Sequence, residues 1–172
     1  MIAPLLLLAA SSLSLRTVTG TTERLYPTND RKATVVFVVL AECPIARKFS
    51  PEIARIARDY GRRGVRFVMA FADGTPASIK AQMKSFELPF PAAKADAGLI
   101  KLLKAATVPT AAIVAPSGKL PYVGRIDDRF PTLGVQRKPR RADLRIALDQ
   151  FLAGKPVSPA RTEVIGCGLP TP

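Results

Sequence analysis

The sequence predicts an α/β fold with a central mixed β-sheet flanked by helices and an extended C-terminal tail. Apolar runs at Thr34–Leu40 and Val65–Phe71 are typical of buried strands, and the segment from Ile45 to about Arg63 between them is amphipathic. This order predicts a parallel strand pair with a right-handed crossover. Residues 111–126 add a hairpin, with a turn at Pro116-Ser117-Gly118-Lys119. The parallel pair and the hairpin together make the sheet mixed.

The first predicted helix follows directly on the first strand. Pro44 fits its first position, where a missing N–H costs nothing, Pro51 lies inside it, and Gly61 or Gly64 ends it. Its apolar residues recur every three or four positions and form one face: Ile45, Phe49, Ile53, Ile56 and Tyr60.

The remaining elements are shorter. They are a helix over residues 77–86, an extended segment over 90–95, a helix over 98–106, and a last helix over 142–152 after a loop over 127–141. We expect one domain over residues 21–153, because 172 residues suit a single core and 48% hydrophobic content argues against disorder. A Pro/Gly-rich tail over 154–172 carries Cys167.

The N-terminal segment resembles a signal peptide. Its apolar run, residues 2–10, is shorter than the roughly 20 residues that span a bilayer, and small residues follow it at 9–12. We therefore predict a signal peptide over residues 1–20 and export to a periplasmic or extracellular space. The alternative is an apolar N-terminal strand or helix packed on a cytoplasmic domain.

Composition excludes several functions. The chain has no histidine, which rules out Ser-His and Cys-His hydrolases and His-ligated zinc or copper. The net charge of +13 comes from basic residues spread along the chain, and aromatic residues make up only 6%. This pattern favours a solvated basic surface over nucleic-acid binding.

Cys43 is the main candidate for chemistry. It lies between the first strand and the first helix, where unpaired backbone N–H groups stabilise a thiolate and lower the pKa of the thiol. Arg47 and Lys48 act in the same direction, and Glu42 opposes them. The alternative is a buried structural cysteine.

The order of elements and three motifs resemble the thioredoxin-like superfamily, most closely its redoxin branch with the alkyl hydroperoxide reductase/thiol-specific antioxidant proteins. Cys43 stands at the active-site junction, Pro51 matches the kink proline of the first helix, and Thr107-Val108-Pro109-Thr110 matches the cis-proline segment. The resemblance covers residues 31–153, and residues 124–129 resemble a segment of exported bacterial redoxin-domain proteins.

This resemblance implies roles for individual residues. Cys43 would be the attacking thiol, followed by Pro44, and Val108 with cis-Pro109 would face it and offer backbone groups to an incoming peptide or thiol. An ordinary trans-proline is the alternative for Pro109. Arg125 would place a cation near the thiolate, or else pair with Asp127 or Asp128.

Two departures from the family pattern reduce the range of activities that the resemblance implies. Ala46 stands where a dithiol thioredoxin has its second cysteine, so no neighbouring thiol resolves a mixed disulfide. Leu40 and Val36 stand where a peroxiredoxin has threonine and proline, which argues against ordinary peroxidase activity.

Cys167 is the second cysteine, in a Gly-Cys-Gly segment of the tail. A flexible distal cysteine can resolve a sulfenic acid or mixed disulfide at Cys43. The alternatives are an unpaired tail cysteine or an attachment point for a partner.

The sequence thus predicts an exported thiol–disulfide oxidoreductase with no bound cofactor. Cys43 is the nucleophile, Cys167 is the resolving cysteine, and a dithiol or disulfide protein or a small thiol is the partner. A peroxiredoxin-like peroxidase and a non-catalytic thioredoxin-like binding domain are the alternatives.

Overall fold

The computed structural model of the protein describes residues 12–169. Along this part of the chain the strands are β1 (Leu13–Arg16), β2 (Thr22–Tyr26), β3 (Ala33–Val39), β4 (Val65–Phe71), β5 (Ala92–Lys94), β6 (Thr107–Val108), β7 (Thr110–Val114), β8 (Tyr122–Gly124) and β9 (Cys167–Gly168). The helices are α1 (Pro44–Gly61), α2 (Pro76–Ser85), α3 (Ala97–Leu103) and α4 (Asp143–Leu152).

The central sheet has five strands in the order β5-β4-β3-β7-β8. Strands β3, β4 and β5 are parallel, whereas β7 is antiparallel to both β3 and β8. Helix α1 packs on β4, α2 on β5 and α4 on β8. The predicted mixed sheet flanked by helices is therefore confirmed.

Strand β3 is the centre of the core, and all of its residues are buried. Helix α1 follows β3 after a short loop, and the predicted apolar face of this helix is buried. Pro51 lies inside this helix and cannot donate to the Arg47 carbonyl one turn back. The Ser50 hydroxyl donates to that carbonyl instead, at 2.8 Å, so the proline leaves no unpaired group there.

A hairpin that the sequence analysis did not predict covers the β5 edge. Strands β1 and β2 pair antiparallel, and the Val18 amide donates to the Ala92 carbonyl at 2.9 Å. Leu15 and Leu25 are buried in this hairpin. The hairpin therefore blocks further pairing at an exposed strand edge.

The predicted signal peptide overlaps this hairpin. Residues 13–16 form β1, whereas residues 1–11, with most of the apolar run, lie outside the described residues. Within residues 12–169, no helix has both the length and the apolar character to cross a bilayer.

The tail covers the opposite edge, β8. The Val123 amide donates to the Ala160 carbonyl at 3.0 Å, and the Thr162 amide donates to the Val123 carbonyl at 3.3 Å. Gly124 permits this close crossing, because a Cβ there would lie 2.8 Å from the Thr162 amide nitrogen. The tail is thus part of the domain surface.

Tyr122 makes stability depend on pH in the alkaline range. Its hydroxyl donates to the Arg125 carbonyl at 2.7 Å, and burial raises its pKa to about 12 from the ordinary value of 10.0. The folded state favours the neutral phenol, so this contribution is fully present below pH 10 and is lost as the pH rises towards 12. We expect Tyr122 to contribute about 2–3 kcal/mol to the fall in the free energy of unfolding across this range, in urea titrations at stepped pH. Burial also raises the pKa of Tyr60 to about 12, so Tyr122→Phe should make the fall shallower without abolishing it, and an equally steep fall in the variant would contradict the assignment.

Candidate active site

Cys43 caps the N-terminus of α1. Its backbone is extended, with φ −71° and ψ 114°, and Pro44 occupies the first position of the helix. The Cys43 side chain makes no capping hydrogen bond, and the first turn of the helix contains no acidic residue. The sulfur therefore lies at the positive end of an 18-residue helix, as the sequence predicted.

Cys43 forms a disulfide with Cys167. The two Cα atoms are 6.2 Å apart across a sequence separation of 124 residues. Cys43 is 4% exposed, whereas Cys167 is half-buried. The structure therefore brings together the two cysteines that the sequence analysis paired.

The segment at Val108 and Pro109 faces this disulfide. The Val108–Pro109 peptide bond is cis, and the Cys43 sulfur lies 4.0 Å from the Val108 carbonyl oxygen. The Thr110 hydroxyl donates to the Thr107 carbonyl at 2.5 Å and closes the turn around the proline. The substrate-binding roles of Val108 and Pro109 remain predictions.

The tail is held at its cysteine, contrary to the expected flexible segment. Strand β9 pairs antiparallel with β6, with Cys167 opposite Val108 and Gly168 opposite Thr107. The Leu169 amide extends this pairing by donating to the Ala106 carbonyl at 2.9 Å. The Gly/Pro composition predicted mobility, but two neighbouring strand edges supply partners for the tail backbone.

Gly166 offers a direct test of this arrangement. A Cβ at Gly166 would collide with the Val108 carbonyl oxygen and lie 2.8 Å from its carbon, whereas a Cβ at Gly168 meets nothing within 4 Å among residues 12–169. We expect Gly166→Ala to lower the equilibrium constant for Cys43–Cys167 disulfide formation by about tenfold, because a lost backbone hydrogen bond costs roughly 1–2 kcal/mol.

Glutathione redox buffers followed by mass spectrometry measure that constant. Gly168→Ala is the matched control and should behave as the parent chain does. Equal constants for both variants would show that the tail does not depend on this close approach.

The loop before Cys43 is held by two residues that the sequence analysis did not single out. The Asp73 carboxylate accepts a hydrogen bond from the Ala41 amide at 2.7 Å, and the Gln82 side-chain amide donates to the Ala41 carbonyl. Asp73 follows β4 and Gln82 lies on α2, so only the fold brings them to this loop. They fix the backbone on which the Cys43 position depends.

The two departures from the family pattern lie close to Cys43. Ala46 is buried in the first turn of α1. Leu40 is half-buried, and its carbonyl accepts a hydrogen bond from the Cys43 amide at 3.2 Å. Cys167 reaches Cys43 from a remote part of the chain instead of from position 46.

Arg125 pairs with neither residue that the sequence analysis offered it. Its Nε donates to Asp143 at 2.7 Å, and its backbone amide donates to the Thr162 hydroxyl at 3.0 Å. Among residues 12–169 its hydrogen bonds do not include Cys43. The predicted pairing with Asp127 or Asp128 is therefore wrong, and Arg125 instead links α4 to the tail.

Asp127 and Asp128 bind separate arginines. Arg129 forms a two-pronged contact with Asp127, with its NH2 nitrogen at 2.6 Å, and Arg137 binds Asp128 at 2.7 Å. The backbone amides of Arg140 and Arg141 also donate to Asp128, and together these contacts lower its pKa against the effect of burial. Both carboxylates therefore hold the loop that precedes α4 in place.

Solved structures give clear matches to this architecture. A conserved protein described as uncharacterized from Geobacillus kaustophilus is 28% identical, with a TM-score of 0.78 over 95% of this chain and 90% of that one. A thiol:disulfide interchange protein of the thioredoxin family from Chlorobium tepidum TLS is 23% identical, with a TM-score of 0.61 over 83% and 94%. A secreted disulfide oxidoreductase from Mycobacterium tuberculosis is 14% identical, with a TM-score of 0.57 over 83% and 95%.

Neither the family models nor the curated proteins match this chain. The structural matches and the sheet order nevertheless define the fold as thioredoxin-like. The thioredoxin-like fold that the sequence motifs predicted is therefore confirmed. The place of the chain in the redoxin branch stays a prediction.

Proposed function

We propose that this protein is an exported thiol–disulfide oxidoreductase of the redoxin type. Cys43 is its nucleophile and Cys167 its resolving cysteine. The observation that carries the proposal is the Cys43–Cys167 disulfide at the N-terminus of α1, beside the cis-proline segment. The Chlorobium and Mycobacterium proteins described above support it, since both are named as thiol–disulfide enzymes.

The reaction is a pair of thiol–disulfide exchanges. The Cys43 thiolate attacks one sulfur of a substrate disulfide, forms a mixed disulfide, and releases the other substrate sulfur as a thiolate that takes up a proton. The Cys167 thiolate then attacks the Cys43 sulfur, forms the intramolecular disulfide, and releases the second substrate thiolate. Two electrons pass from the protein dithiol to the substrate, and a partner dithiol restores the reduced protein.

The environment of Cys43 supports its role as nucleophile. The partial positive charge of the helix terminus favours the thiolate, and no carboxylate lies in the first turn to oppose it. Arg47 and Lys48 are exposed, so solvent screens their contribution. We therefore assign the activation of Cys43 mainly to the helix.

A redox titration tests whether the disulfide is catalytic or structural. We expect a reduction potential in the range of exchange catalysts, about −120 to −270 mV, whereas structural disulfides lie below about −300 mV. In the reduced protein, iodoacetamide should alkylate Cys43 with an apparent pKa below the ordinary value of about 8.5. A potential below about −300 mV together with an unshifted thiol would overturn the proposal.

Hydrogen peroxide separates this function from that of a peroxidase. Leu40 offers no side-chain hydrogen bond to a peroxide, so we expect the reduced protein to exchange with oxidised glutathione while peroxide leaves its thiols largely intact. Rapid formation of the Cys43–Cys167 bridge in peroxide would favour the peroxidase instead. Mass spectrometry of the quenched samples counts the remaining thiols.

Export rests on the apolar N-terminal run and on the secreted Mycobacterium protein. Since β1 begins at Leu13 and Leu15 is buried, we place the cleavage among the small residues that precede β1. N-terminal sequencing of the mature protein tests this position, and cleavage after residue 20 would contradict it, because it would remove β1.

A further inference from the structure

The tail binds next to Cys43 through contacts that other polypeptides can also make. Cys167 and Gly168 pair with Val108 and Thr107 through backbone groups alone, and the Leu169 amide continues the pairing. An exposed strand edge accepts any extended segment with this spacing. With the tail removed, β6 would therefore present such an edge beside the Cys43 sulfur.

The residue before the cysteine must be small at this edge. Gly166 crosses the Val108–Pro109 peptide so closely that a Cβ would collide with the Val108 carbonyl oxygen and lie 3.5 Å from Pro109 Cδ. At the position after the cysteine, Gly168, an added Cβ meets nothing within 4 Å in the part of the chain that the structure describes, so a side chain is tolerated there. The edge therefore selects glycine on one side of a bound cysteine only.

The residue two positions after the cysteine forms one wall of a largely apolar groove. Leu169 is half-buried and lines a groove of about 590 Å³ together with Ile100, Ala105 and Ala95. The groove lies beside α3, at the end of the sheet where the parallel strands β4 and β5 finish. Burial of an apolar side chain here adds affinity that backbone pairing alone lacks.

We propose that residues 165–169 occupy the substrate site as a built-in competitor, and that substrates are extended polypeptide segments with the same pattern. Such a segment places its cysteine opposite Val108, glycine immediately before that cysteine, and an apolar residue two positions after it. This inference rests on the proposed function. It adds that tail and substrate exclude each other, so tail release opens the site and tail return expels the substrate.

Two peptides test the pattern against the full chain carrying Cys167→Ser, in which Cys43 alone reacts. The probe is Val-Ile-Gly-Cys-Gly-Leu with its cysteine joined to thionitrobenzoate, and the comparison peptide has alanine before the cysteine. The Cys43 thiolate forms a disulfide with the peptide sulfur, and the coloured thionitrobenzoate leaves as a thiolate. We expect the glycine peptide to react about tenfold faster or more, because the alanine peptide loses backbone pairing.

Displacing the tail tests the competition. In the same Cys167→Ser background, Gly166→Ala should raise the rate of the glycine peptide several-fold, since its own tail no longer covers β6. Gly168→Ala is the matched control and should leave that rate unchanged. A small disulfide, oxidised glutathione, gives the reactivity of Cys43 without peptide pairing.

The outcomes separate this inference from the proposed function. Loss of reaction with oxidised glutathione as well as with both peptides would overturn the proposed function itself. Normal reaction with glutathione but equal rates for the two peptides would overturn only the substrate pattern. Unchanged peptide rates in Gly166→Ala would show that the tail is no competitor.

Discussion

Replacing Cys167 with serine is expected to trap Cys43 in mixed disulfides with its substrates, whereas replacing Cys43 with serine abolishes exchange. Cys43 attacks first, and Ala46 leaves no nearby thiol to release the product. Cys167 lies on the same chain, and its sulfur bonds to Cys43 when the tail pairs with β6, so its attack is intramolecular. Without it, release depends on external thiols, and we expect turnover to fall by about a hundredfold or more.

Each cysteine variant serves as the control for the other. Non-reducing gels and mass spectrometry should show adducts at Cys43 in Cys167→Ser and none in Cys43→Ser. If Cys43→Ser accumulates adducts through Cys167, the order of attack is reversed. If neither variant forms adducts and both keep the parent stability, the disulfide is neither catalytic nor structural.

The part of the fold nearest the chemistry was predictable because its signals are local. Strand β3 is an uninterrupted apolar run, and α1 repeats its apolar residues at helical spacing. Cys43 stands at the junction of β3 and α1. The resemblance of the motif at Pro109 to the cis-proline segment predicted the cis peptide bond there. Sequence therefore located the cysteine that forms the disulfide at the start of α1 and the segment that faces it.

The hairpin and the path of the tail were not predictable because contacts with distant segments of the chain hold them in place. Strands β1 and β2 are short, β1 contacts β5 from a distant part of the chain, and Leu15 and Leu25 are buried. Gly166 indicated flexibility in the sequence and Gly124 belonged to a segment matched by resemblance, yet each allows the tail to cross a backbone at close range. Glycine in a sequence does not distinguish these two uses.

The ion-pair partner of Arg125 was equally hard to predict from the sequence. Asp127 and Asp128 are nearer in sequence, but they are bound by Arg129 and Arg137 in the following loop. Asp143 is the carboxylate that the start of α4 places in front of Arg125. Asp143 is buried, which no local pattern reveals. The backbone amide of Arg125 donates to the Thr162 hydroxyl of the tail, a contact that does not involve the guanidinium of the ion pair.

Replacing Asp143 with asparagine is expected to cost more stability than replacing an acid of an exposed ion pair. Its side chain is 1% exposed and binds both Arg125, at 2.7 Å, and Arg141, at 2.6 Å. Breaking a buried pair costs about 3–5 kcal/mol, and the partial exposure of both arginines lowers our expectation to about 2 kcal/mol.

Asp149→Asn is the matched control for this change. Asp149 binds Arg63 at 2.6 Å, but its side chain is 58% exposed, so solvent screens the pair and its loss costs at most about 1 kcal/mol. Both variants remove one negative charge from a chain of net charge +13, so general repulsion changes equally. Urea unfolding of the two variants measures the difference directly. Equal losses of stability in the two variants would mean that the Asp143 cluster contributes no more than an ordinary surface pair.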